Sequence, residues 1–362
     1  MIKRLGVITG GGDCPGLNAV LRAVVKTAIR KYGMDVIGFR DGYRGLVRND
    51  YVHLDERKVS GILDRGGTIL GSSNKDNPFK FIIELNGTVE ERDMSGRVIE
   101  NVCMHDIEAM IFIGGDGTLT SANDFSKMGM NVIAVPKTID NDLNATDTTF
   151  GFATALDTAT DAIDKLHSTA ESHHRVMILE VMGRNAGWIA LHSGIAGGAD
   201  IILIPEIPYH IDGVVAALNK RKNLGKNFSI VVVAEGAKPF GGDVVISKIV
   251  ENSPDPIRLG GIGNKVAADI EEHSGIETRI TVLGHLQRGG RPNSHDRVLS
   301  TRYGVAAVDL AYNEQFGCMV SLKGSQISCV PIGEAVGSLK LVPPDGEMVR
   351  IAKSIGIGFG DE

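Results

Sequence analysis

The densest chemistry in the sequence lies in three turns within the first 142 residues, two of them glycine-rich. In Ile111-Phe112-Ile113-Gly114-Gly115-Asp116-Gly117-Thr118, one carboxylate stands among glycines directly after an apolar run. Glycines at a strand end let backbone approach a phosphate, and a carboxylate beside bound phosphates suits Mg²⁺, which takes oxygen ligands and bridges phosphate oxygens. An aspartate that merely caps the next helix would look the same. In Val135-Pro136-Lys137-Thr138-Ile139-Asp140-Asn141-Asp142 two aspartates stand two apart. In extended chain they would face one side, one available as a base and the other to assist the metal. The remaining turn, Gly10-Gly11-Gly12-Asp13-Cys14-Pro15-Gly16, matches neither GxxxxGK[ST] nor GxGxxG, which weakens the P-loop and dinucleotide-fingerprint readings. A purely structural strand-to-helix turn stays open for it.

Such turns need strands before them and helices after them. Short β-branched runs recur at Leu5 to Thr9, Val36 to Phe39, Ala109 to Ile113, Val132 to Val135, Val176 to Val181, Ile201 to Ile204, Ile230 to Ala234 and Ile280 to Leu283. Their near-continuous apolarity predicts strands buried on both faces, and the helical segments between them predict largely parallel sheets. The expected fold class is therefore α/β with doubly wound lobes. From Leu17 to Lys31, Leu17, Val20, Leu21, Val24, Val25, Ala28 and Ile29 form one apolar stripe, with Arg22, Lys26 and Arg30 off it, which predicts an amphipathic helix. Asn86-Gly87 between two extended-looking runs predicts a surface hairpin. A long helix from about 152 to 170 is the expected crossing between domains.

Composition narrows the function classes. A chain of 362 residues has room for about two domains at roughly 100 to 200 residues each. Lys plus Arg number 38 against 44 Asp plus Glu, and the resulting net charge of −6 disfavours general nucleic-acid binding. No stretch approaches the roughly 18 uninterrupted apolar residues of a membrane span. Glycine supplies 46 residues, well above the usual level of about 7%, without a collagen-like period. Cys14, Cys103, Cys318 and Cys329 lack metal-ligand spacing and read as free thiols of a cytoplasmic protein.

The segments GGGDCPGLNAVLR, DGYRGL, RGGTILGSS, GGDGT, PKTIDND, EVMGR, AEGAK and LGHLQRGG occur in this order over nearly the whole chain, and together they resemble the 6-phosphofructokinase family. GGDGT alone is shared with lipid and NAD kinases, which have no reason for TIDND or LGHLQRGG. The resemblance implies two phosphofructokinase-like α/β lobes and transfer of a phosphoryl group to the 1-hydroxyl of fructose 6-phosphate. It makes Asp140 the proton acceptor, with Thr138 and Asp142 flanking it, and Arg184 the catalytic arginine beside Gly183. Gly12, Asp116, Gly117, Thr118 and Lys137 fall on the donor side, Asp116 at the Mg²⁺. Arg175, Arg279, His285 and Arg288 fall where the 6-phosphate binds, and Met182 and Glu235 where the sugar is held. Arg175 and Arg279 would come from a neighbouring subunit, implying a homo-oligomer, a dimer or tetramer. A catalytically silent regulatory subunit would have lost Asp140, Asp142 and Arg184, and all three are present.

Two positions depart from the commonest pattern. Gly117 leaves room for a nucleotide's α-phosphate, as in ATP users, whereas Lys137 resembles pyrophosphate users; steric room favours ATP, with pyrophosphate as the alternative. Asn74 stands where many relatives have an arginine that bridges the two phosphates, and Lys75 is the nearest cation to replace it. The donor domain is expected at 1–150 with a return near 288–335, and the fructose 6-phosphate domain at 151–287 with 336–362. No nucleic-acid or membrane partner is expected.

Overall fold

A computed structural model describes residues 2–85, 88–250 and 256–361. The apolar runs become strands because each can bury both faces between helices. Leu5, Val7 and Ile8, Met110 to Ile113 and Val132 to Val135 are all fully buried. The larger sheet runs Gln326–Pro331, Cys318–Lys323, Val132–Thr138, Ala109–Gly114, Arg4–Thr9, Asp35–Phe39, Tyr51–Leu54, with Phe150–Gly151 paired to Val132–Thr138. Its central pairings are parallel and its two outermost ones antiparallel. The amphipathic stripe forms the helix Leu17–Tyr32, ended by Gly33 in left-handed conformation, and Arg30 reaches from its exposed side to Glu56 at 2.7 Å.

A second, four-stranded sheet is parallel throughout, in the order Ile201–Leu203, Ser229–Ala234, Val176–Val181, Thr278–Val282. The chain reaches it through the helix Phe152–His173, which follows directly on Phe150–Gly151. One continuous apolar core joins both sheets, running from Leu5 and Ile111 through Ala159 and Ile163 to Leu179 and Val232. The predicted hairpin is present as the antiparallel pair Phe81–Leu85 and Thr88–Arg92, while its turn at Asn86-Gly87 lies outside the described residues. The strands at 51–54, 318–323 and 326–331 went unpredicted. Residues 51–54 and 326–331 are edge strands and 318–323 lies one strand in from the edge; pairing, more than their own pattern, makes them strands.

In the larger sheet the connection from Arg4–Thr9 leads outward to Asp35–Phe39 on one side, while Ala109–Gly114 lies on the other. Ligands of open α/β sheets bind outside the carboxyl ends of strands at such a reversal of order. The turns after Thr9 and Gly114 flank it. Among the described residues no helix is long and apolar enough to cross a membrane, and all four cysteines are free.

Candidate active site

Each turn singled out in the sequence follows the carboxyl end of a strand. Asp116 opens the helix Asp116–Lys127, and the position before it, Gly115, caps that helix without any side-chain bond. Asp116 is thus not a helix cap. It stands half-buried in the first turn, where burial raises its pKa and the nearby Arg184 guanidinium opposes the shift. Thr118 packs its side chain onto backbone. A Cβ at Gly10 or Gly114 would come within 2.7 or 2.3 Å of it, so both positions require glycine. Around Gly117 the reverse holds: a Cβ there would meet nothing within 4 Å.

Lys137 is buried at 3% exposure, and its ammonium donates to the Gly12 carbonyl at 2.5 Å. Burial lowers its pKa, and Arg288 adds to the effect while Asp140 and Asp142 oppose it. Arg288 lies over the same turn, 2.9 Å from where a Cβ of Gly12 would stand, and donates to the Asp13 carbonyl at 3.3 Å. Two cations therefore face the first glycine turn.

Asp140 and Asp142 do not share a side through extended chain, as their two-residue spacing suggested. The strand ends at Thr138, and Asn141 between them takes the left-handed conformation at φ 53°. The pair is instead presented by a buried turn, in which the Asp140 N–H donates to Thr138 Oγ1 at 3.0 Å and Thr149 Oγ1 donates to the Thr138 carbonyl at 2.7 Å. Asp140 Oδ1 is buried without any hydrogen-bond partner. A buried polar atom left unpaired costs free energy unless a ligand completes it. Asp142 is pushed up to about 7 by burial and by Asp140. Asp116 acts on it in the same direction.

The second sheet supplies the opposite side. Glu235, just past Ser229–Ala234, is raised to about 7 by burial and by Asp140, and accepts from the Arg184 N–H at 3.1 Å. Arg184, like Asn141, holds a left-handed backbone at φ 51°. Met182 N–H donates to the Gln287 side chain at 2.8 Å, tying the Met182-Gly183-Arg184 turn to the segment carrying Arg288. Behind it the buried carboxylate of Glu180 accepts from the N–H groups of Gly261 and Gly263, which anchors the helix Ile262–Ser274. Gly12, Asp116, Gly117, Thr118, Lys137, Thr138, Asp140, Asp142, Met182, Gly183, Arg184, Glu235 and Arg288 are thus carried by two sets of strand ends that converge.

The other predicted residues lie apart. Arg175 and Arg279 both pair with Glu277, Arg175 at 2.7 Å, at the edge strand of the second sheet. His285 is exposed in the short turn Gly284–Gln287 and lines an open depression of about 620 Å³ with Leu283, Leu286 and Thr158. Lys75 is exposed, on a loop held to the first glycine turn by the Gly11 N–H to the Ser73 carbonyl at 3.0 Å. Arg44, unremarked in the sequence, reaches Asp76 of that loop at 3.4 Å. The largest omission is Lys340, which sits behind the Asp140 turn. Its segment carries no motif, so only the fold could reveal it.

The raised carboxylates set a pH dependence of stability. A carboxyl whose folded-state pKa lies above its unfolded value of 4.5 stabilises the fold fully below 4.5, and that contribution is lost as pH rises through about 7. Glu235→Gln should therefore gain in Tm over the native chain progressively between pH 4.5 and 7 and hold the gain above. Thermal melts of both proteins across pH 4 to 8 measure it. A constant difference would show that Glu235 ionises as freely in the fold as outside it.

Carboxylates, backbone glycines and cations gathered at the strand ends of two largely parallel sheets define an α/β protein equipped to handle phosphorylated ligands. A model of the phosphofructokinase family matches residues 4–311. The chain is 61% identical to the ATP-dependent 6-phosphofructokinase 2 of Clostridium perfringens, with 99% of both chains covered. It is 50% identical to the pyrophosphate–fructose 6-phosphate 1-phosphotransferase of Streptomyces coelicolor, over 99% of this chain and 100% of that one. Among solved structures it is similar to phosphofructokinase from Saccharomyces cerevisiae, with a TM-score of 0.79 and 31% identity over 92% of this chain and 45% of that one. The chain belongs to the phosphofructokinase family.

Proposed function

We propose that this protein transfers the γ-phosphoryl group of MgATP to the 1-hydroxyl of fructose 6-phosphate, giving fructose 1,6-bisphosphate, with Asp140 as the base. The observation that carries the reading is the buried, unpaired Asp140 Oδ1 among Lys137, Asp142 and Glu235. A carboxylate oxygen lacking a partner can accept the proton of a sugar hydroxyl placed against it. Asp142, Glu235 and Met182 would hold the sugar beside it. Arg184 would lie along the transferring group, where its planar donors oppose developing charge. Thr138 fixes the Asp140 backbone.

The site suits Mg²⁺ delivered with a nucleotide. Among the described residues no three His, Cys, Asp or Glu side chains converge into a cage, and Mg²⁺ usually rests on one or two carboxylates plus substrate phosphates. Asp116 would hold it, and the ion would neutralise charge on the donor's phosphate oxygens. Gly12, Thr118 and Lys137 would line the donor site beside it.

ATP over pyrophosphate is supported by the open space at Gly117 and by the relative from Clostridium perfringens. Lys137 and the Streptomyces coelicolor relative support pyrophosphate as the second reading. A coupled assay with fructose 6-phosphate and either donor decides. Product from MgATP is expected, and turnover with pyrophosphate alone would overturn the donor assignment.

The larger sheet, built from residues 4–151 and 318–331, would carry the donor, and the four-stranded sheet the sugar phosphate. His285 and Arg288 would bind the 6-phosphate. Arg175 and Arg279 would do so across an interface in a homo-oligomer, a reading supported by their shared pairing with Glu277 beside the edge strand Thr278–Val282. Lys75 would reach the transferring phosphate in place of the arginine absent at Asn74. Lys75→Ala should then cut kcat about tenfold, the size of one charge-assisted contact, and normal turnover in that variant would remove Lys75 from the site. Four free thiols and glycolytic-type small-molecule chemistry support a cytoplasmic location.

A further inference from the structure

The turn bearing Asp140 and Asp142 is an awkward piece of chain. Between Thr138 and Thr149 it contains two non-glycine residues in left-handed conformation, Asn141 at φ 53° and Ala145 at φ 60°. Such residues persist only where their surroundings hold them. The far half of the turn is held by the strand Cys318–Lys323. Asp147 N–H donates to the Leu322 carbonyl at 2.9 Å, Leu322 N–H to Thr146 Oγ1 at 3.0 Å, and Ser321 Oγ to the Ala145 carbonyl. The near half, with the two carboxylates, has no such strand.

Lys340 spans both halves. Its ammonium donates to Asn141 Oδ1 at 2.9 Å, to the Thr146 carbonyl at 3.1 Å and to the Asp147 carbonyl at 3.0 Å, which uses all three of its hydrogens. Its backbone N–H donates to the Asp142 carbonyl at 2.8 Å. Its own carbonyl accepts from Trp188 Nε1 at 2.8 Å, and its ammonium lies 5.7 Å from that indole ring. Trp188 begins the helix Trp188–Ala196, four residues beyond Arg184. One residue thereby ties the acidic turn of the first sheet, held by its ammonium, to the segment that follows Arg184 in the second, held by its main-chain carbonyl and faced by its ammonium across the indole.

We infer that Lys340 is a positioning residue for phosphoryl transfer, holding the carboxylates of the 140–142 turn in register with the Arg184 segment without itself touching substrate. This rests on the proposed role of Asp140. A surface cation would be solvated on at least one side; this one is spent on the turn. Loss of the ammonium would leave two carbonyls and the Asn141 amide facing each other without a shared donor, and the turn would relax away from its left-handed conformations. Substrates would still bind through the other arginines and glycine turns, so the deficit belongs to the chemical step.

The test uses Lys340→Met and Lys340→Arg in the full chain, with Asp140→Asn alongside. Lys340→Met should lose roughly 100-fold in kcat, the scale of an ångström-sized misplacement, with both KM values within about threefold. Lys340→Arg, which keeps a forked cation, should recover part of the loss. Trp188 is the single tryptophan of the chain. Its emission should shift in Lys340→Met and return towards native in Lys340→Arg. Native kcat in Lys340→Met, or a kcat deficit that vanishes at low temperature together with a fall in Tm, overturns the inference and makes Lys340 merely structural. Failure of both variants to fold does the same. If Asp140→Asn is inactive and Lys340→Met is normal, only the Lys340 role falls; if Asp140→Asn turns over normally, the reading of the turn falls with it.

Discussion

Asp140→Asn should reduce kcat by roughly a thousandfold, within the range of about 10² to 10⁴ for removal of a general base, while the chain stays folded. Asparagine is nearly isosteric, so the Thr138 contact to the residue 140 backbone survives. What disappears is the proton acceptor. Its carbonyl can still lie against the sugar hydroxyl, so KM for fructose 6-phosphate should change far less than kcat. Stability should move the opposite way. Asp140 raises both Asp142 and Glu235 by proximity, and neutralising it relieves both repulsions. Higher Tm with nearly lost turnover is the pattern of a site that keeps strain for function. Steady-state kinetics and a thermal melt of the same preparation measure both. Turnover within tenfold of native would show that position 140 is not the base.

Gly117→Asp should abolish useful ATP turnover without harming the fold. The space around a Cβ at 117 is empty, and 117 lies in the first turn of the helix Asp116–Lys127, where a carboxylate interacts favourably with the helix dipole. Replacing glycine inside a helix also removes a backbone-entropy cost of about 1 kcal/mol. The melting temperature should hold or rise. Against a nucleotide the new carboxylate would face the α-phosphate, and juxtaposed like charges cost several kcal/mol. At 1.4 kcal/mol per tenfold, kcat/KM for MgATP should fall by at least about 100-fold. Pyrophosphate, which lacks that phosphate, should be spared, so the ratio of the two donors is the sharper readout. Unchanged ATP kinetics would refute the steric account of donor choice.

Much of this was legible before any coordinates. The strand runs, the first helix and the order of the turns follow from apolar period and glycine placement, which are local properties. Gly12, Asp116, Gly117 and Lys137 stand at or just beyond strand ends, where a turn after a buried parallel strand must emerge, whereas Lys75 stands on an exposed loop. The strand 318–323 carries no such local signal, since its place in the sheet comes from pairing with Val132–Thr138, far away in sequence.

The residue types at the site were set by the sequence alone: an aspartate pair, an arginine after Gly183, a lysine before Thr138 and an empty glycine at 117. How those groups behave was decided by the tertiary structure. Two aspartates two apart have no common side in the turn that Asn141 makes. They stay close because Thr149 and Lys340 brace Asn141 between them from behind. Glu235 becomes a carboxyl that titrates near neutrality only because a strand of another sheet buries it beside Asp140. Burial and charge proximity are long-range properties of a fold, and residues 199 apart, such as Asn141 and Lys340, meet only when two chain segments pack together.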